Sequence, residues 1–109
     1  MQKNFKLETI LTIITGINLT DDFNDVYQLA YFIFQDKLIN ATGLNALKDA
    51  MKEHLLNIHP ELKTVSWVPQ TKICINLWIN QQKNIYGEYL PISLYGKKLK
   101  KEKINKKVL

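Results

Sequence analysis

Between residues 22 and 35, Phe23, Val26, Tyr27, Ala30, Ile33 and Phe34 recur at offsets of 0, 3, 4, 7, 10 and 11. That spacing draws one apolar stripe along a helix of 3.6 residues per turn, and Leu29 and Phe32 widen it. A stripe so broad needs cover from more than one side, so this segment is expected to be the central helix. Thr20, Asp21 and Asp22 precede it as N-cap candidates. Asp25 falls in its first turn, where the helix dipole favours a carboxylate.

Two shorter stripes flank it. Leu7, Ile10, Leu11 and Ile14 predict a first helix, which Gly16 can end in the left-handed conformation. After Thr42-Gly43, the residues Leu44, Leu47, Met51, Leu55 and Ile58 mark one face of a third helix, which Pro60 stops. Its other face carries Lys48, Asp49, Lys52 and Glu53, whose like-charged i+4 pairs add little.

Residues 70–86 fit two patterns. Ile73, Ile75, Leu77 and Ile79 alternate like a strand, whereas Cys74, Leu77, Trp78 and Ile85 follow a helical seam that also passes Gln81. No turn signal appears before Gly87, and such a length suits a helix better than a strand, so a helix is expected. Beyond Gly87, Leu90, Ile92 and Leu94 alternate with Tyr89, Ser93 and Tyr95, which predicts a strand demoted to an edge or bulge by Pro91. Its expected partner is Val65–Val68 or the same strand of a second subunit, which would make a homodimer. The predicted fold is mainly α (α+β): a compact bundle of about four helices with one or two short β-strands near the C-terminus.

The chain has 109 residues, 46% of them apolar, enough for one core and too few for two. We expect a single domain over 1–95 and a basic tail over 96–109. A lone cysteine, Cys74, cannot form an internal disulfide and is expected to be buried and inert. The start of the chain has a basic and then an apolar run, but Glu8 interrupts it and no small-residue cleavage pattern follows. No stretch reaches the ~20 apolar residues of a membrane span. The expectation is therefore a cytoplasmic protein without membrane contact.

Every basic side chain is lysine, so bidentate guanidinium contacts to guanine or phosphate are unavailable. The net charge of +5 is uneven. Residues 1–96 carry eight lysines against nine acids, whereas residues 97–109 carry seven lysines against Glu102 alone. The lysines Lys97, Lys98, Lys100, Lys101, Lys103, Lys106 and Lys107 form a candidate contact to a nucleic-acid backbone, sequence-independent and salt-sensitive.

The inventory for chemistry is thin. His54 and His59 stand five apart, whereas helical metal ligands stand three or four apart, so helix-end or surface positions are expected for them. His59, beside Pro60, is placed to meet the last carbonyls of the third helix. Ser66 and Ser93 lack a nucleophile-elbow setting, and the four glycines are scattered rather than gathered in a phosphate-cradling loop. No catalytic residue, metal site or cofactor is expected. Two groups suit a partner instead. Asp21, Asp22 and Asp25 form an acidic knot, and Trp67, Tyr89 and Tyr95 belong to an aromatic-rich C-terminal half of the kind that anchors interfaces or stacks on single strands.

Glu8-Thr9-Ile10-Leu11-Thr12-Ile13-Ile14-Thr15-Gly16, Leu19 and Asp21-Asp22-Phe23-Asn24-Asp25-Val26-Tyr27-Gln28-Leu29 resemble a family of small phage and prophage proteins. His59-Pro60-Glu61-Leu62 and Tyr86-Gly87-Glu88-Tyr89-Leu90-Pro91-Ile92 extend that resemblance over most of residues 7–94. The sequence departs where the family has Gly-Asp and Thr-His: here stand Gln35-Asp36 and Asn40-Ala41. A role for that histidine therefore does not carry over. The resemblance implies a phage-encoded accessory protein, of the anti-CRISPR kind, that binds and inhibits a host protein or ribonucleoprotein complex. In that setting the acidic knot would face a basic, RNA-binding surface. The alternative is a small nucleic-acid-binding protein that uses the lysine tail and the aromatics.

Overall fold

The computed structural model describes residues 2–65 and 68–95, and it is mainly helical with one two-stranded sheet. In chain order the elements are β1 (Gln2–Lys6), α1 (Leu7–Thr15), α2 (Asn24–Phe34), α3 (Ala41–Ile58), a 3₁₀ turn (Pro60–Thr64), α4 (Lys72–Tyr86) and β2 (Tyr89–Ser93). The mainly α (α+β) class, the four helices and the C-terminal strand all match expectation. Trp67 and residues 97–109 lie outside the described residues.

The core is built around α1 rather than α2. Leu7, Ile10 and Leu11 are fully buried, and Thr9, Thr12, Ile13 and Ile14 are nearly so. A helix apolar on nearly every side must be covered on every side, and α1 packs against β1, α2, α3 and α4. Its buried threonines find internal partners. Thr12 donates its hydroxyl proton to the Glu8 carbonyl at 2.7 Å and accepts the Leu19 N–H at 3.0 Å, which ties the following loop to the helix. Gly16 ends α1 at φ 77°, where a side chain would be strained.

The α2 helix begins at Asn24, later than the stripe suggests, because Asp22 holds a turn: its Oδ1 accepts the Asn24 N–H at 3.0 Å. The buried seam is Val26, Leu29, Ala30 and Ile33, while Phe23 keeps 39% of its surface exposed. The α3 helix is capped by Asn40, whose side chain accepts the Gly43 N–H at 2.9 Å. Pro60 both ends α3 and opens the 3₁₀ turn.

β1 pairs with β2 in antiparallel register, Gln2 with Ser93 through Lys6 with Tyr89. The strand partner is thus β1, at the other end of the described chain, in place of the expected Val65–Val68 or second-subunit strand. Pro91 has no N–H, so its pairing with Asn4 is a non-hydrogen-bonded one. Residues 88, 90 and 92 therefore point toward β1, consistent with the Leu7 N–H donating to the Glu88 carbonyl at 2.9 Å. The carbonyls of residues 91 and 93 point to the opposite edge of β2.

Candidate functional site

Two histidines cover that opposite edge. His54 Nε2 lies 2.8 Å from the Ser93 carbonyl, and His59 Nε2 lies 2.8 Å from the Pro91 carbonyl. A carbonyl only accepts, so both imidazoles carry a proton on Nε2. Five residues of helix rise about 7.5 Å, close to the roughly 6.7 Å between alternate strand residues. The five-residue interval, unsuited to chelation within one helix, fits a strand edge. Both are buried, which corrects the expectation of surface histidines; His59 does cap the end of α3, its backbone N–H donating to the Leu55 carbonyl at 2.9 Å, while its side chain reaches β2. His54 also stacks edge-on against Tyr95 at 5.3 Å, and His59 Nδ1 stands 3.6 Å from Glu61. Among the described residues no group of three or more His, Cys, Asp or Glu is placed to hold a metal ion.

The acidic knot stays at the surface. Asp21 and Asp22 are exposed and Asp25 is half-buried, with Asp22 serving the entry to α2. Tyr89 is exposed on β2. Tyr95 is half-buried, with its ring 5.2 Å from that of Phe34 and its N–H on the Ile33 carbonyl, so it is engaged within its own chain. Among the described residues, the candidates Asp21, Asp22, Asp25, Tyr89 and Tyr95 therefore do not converge on one place.

The α4 helix supplies what the sequence candidates lack. Its inward side is Trp78 and Ile79, with Ile75 and Tyr86 partly buried. Of the expected seam, Trp78 alone faces inward; Leu77 and Ile85 are turned outward, and Cys74 is exposed rather than buried. Ile73, Leu77 and Ile85 expose 75%, 61% and 66% of their surface. With Gln81 they stand four residues apart, which makes them one ridge about 18 Å long. Leu38 and Ile17 are also exposed, but neither lies on a helix, and scattered exposed aliphatics are ordinary for a protein surface.

The ridge is uncharged. The charged residues of α4 are Lys72 and Lys83, and Lys83 leans inward to pair with Glu8 at 3.1 Å. The remaining outward positions are the amides Asn76, Asn80, Gln81 and Asn84. An exposed helix face normally carries charge that keeps it wet. A row of branched aliphatic side chains among amides can be dried by a partner at little electrostatic cost.

No family model, curated protein or solved structure matches this chain. Among the described residues, no helix is long and apolar enough to cross a membrane.

Proposed function

We propose that the protein is a phage-encoded binding protein that inhibits a host defence complex, a CRISPR effector among the candidates, by protein–protein contact through the α4 ridge. The observation that carries the choice of surface is the alignment of Ile73, Leu77 and Ile85 on one uncharged, outward line. Ile73 and Leu77, at i and i+4, have the spacing with which a helix enters an apolar groove, and Ile85 extends the ridge obliquely, so the partner surface is an apolar groove with no charge at its centre. The exposed acidic knot at the start of α2 offers a second contact, to a basic surface.

The test captures partners from the host with three forms of the protein: intact, lacking residues 97–109, and carrying Ile73→Glu with Leu77→Glu. The same host protein should accompany the first two and be lost with the third, whose melting temperature stays near that of the intact chain. Equal recovery with all three forms would overturn the assignment of α4, and recovery of no host protein would overturn the function.

A second reading rests on the charge imbalance, since seven of the fifteen lysines lie in residues 97–109. It predicts direct binding to DNA or RNA that weakens steeply between low and moderate salt and disappears with that segment. A gel shift at two salt concentrations separates the two readings.

A further inference from the structure

A groove of about 330 Å³ opens where the end of α1, the outer side of α3 and the 3₁₀ turn meet. Its floor is apolar, made by Ile14, Leu56, Leu62 and Val65, and its walls carry Lys52 and Lys63. Among the described residues no carboxylate lines it. Neither lysine has an ion-pair partner among the described residues, and Glu61, close by in sequence, faces His59. The Thr15 hydroxyl also borders the groove but already donates to the Leu11 carbonyl.

We infer that this groove binds a small amphipathic carboxylate, with the acyl or aryl body on the aliphatic floor and the anion between the Lys52 and Lys63 ammonium groups. The volume lies at the lower end of small-molecule sites. Two unpaired ammonium groups beside an apolar floor select against neutral ligands of the same length and against hydrophilic anions. The site is separate from the α4 ridge and does not depend on it.

The test titrates the full chain with octanoate, octanol and inorganic phosphate, following amide and methyl resonances, and repeats octanoate with Lys52→Met and Lys63→Met. Methionine keeps much of the apolar stem while removing the charge. Octanoate should saturate with shifts centred on Ile14, Leu56 and Val65, and bind about tenfold tighter than octanol. Phosphate should leave those methyls unmoved, and each methionine variant should weaken octanoate about tenfold at unchanged melting temperature. Four results would overturn the inference: no saturation by octanoate at millimolar concentration, equal binding of octanol, phosphate shifting the same methyls, or methionine variants that bind as the parent does. Because the readout involves no host protein, failure here leaves the α4 proposal intact, and the reverse holds.

Discussion

At the scale of single residues, the two histidines show how a side chain's role depends on what lies opposite it. His54 and His59 each place Nε2–H on an outward carbonyl of β2. Removing such a donor leaves a carbonyl with reduced solvent access and no partner, at a cost of about 1–3 kcal/mol. We therefore expect His54→Phe and His59→Phe each to lower the unfolding free energy by that amount in urea titrations, although the aromatic bulk is kept. The double variant should lose more than either single one. Loss below about 0.5 kcal/mol for both single variants would mean that the edge hydrogen bonds do not matter to stability. None of this was legible in the sequence, where the interval of five excluded a chelating pair on one helix but could not reveal a strand edge alongside. Tyr95 was similarly opaque: its pattern suggested a surface aromatic, and its packing on Phe34 and His54 depends on a chain reversal that no local signal encodes.

At the scale of elements, helix existence was legible and helix orientation was not always so. The stripes of α1, α2 and α3 are strong because each buries several aliphatic residues on a consistent side. The α4 helix has apolar residues on both sides, so two seams compete, and the indole of Trp78 beside Ile79 wins the inward position. Ile73, Leu77 and Ile85, left on the outward side, form the exposed ridge. This contrast yields a paired prediction. Leu77→Glu should change stability by about 0.5 kcal/mol or less, as ordinary surface substitutions do. Trp78→Ala should cost about 3–5 kcal/mol. Both are read from urea denaturation of the purified protein, and a large loss for Leu77→Glu would mean that the ridge is covered within the folded chain. β1 was missed for a plain reason: of Gln2–Lys6 only Phe5 is buried, so the segment has no alternation to detect.

At the scale of the whole molecule, the β1–β2 ladder joins segments nearly ninety residues apart in the chain. Long-range pairings close large loops and contribute late in folding. The register makes the ladder testable. Lys3 faces Ile92 in a hydrogen-bonded pair, whereas Asn4 faces Pro91 and turns its N–H outward. Lys3→Pro should therefore destabilise the protein by about 1–3 kcal/mol more than Asn4→Pro does, measured by equilibrium unfolding. Equal losses would contradict the register.

The central claim is that α4 presents its uncharged apolar ridge to a protein partner. The most direct measurement places a photo-crosslinking amino acid at position 77, or at the exposed Asn45 on α3, and irradiates the protein in its host. A discrete covalent adduct from position 77 and none from position 45 is the predicted result. No adduct from 77, or the same adducts from both positions, would contradict the claim.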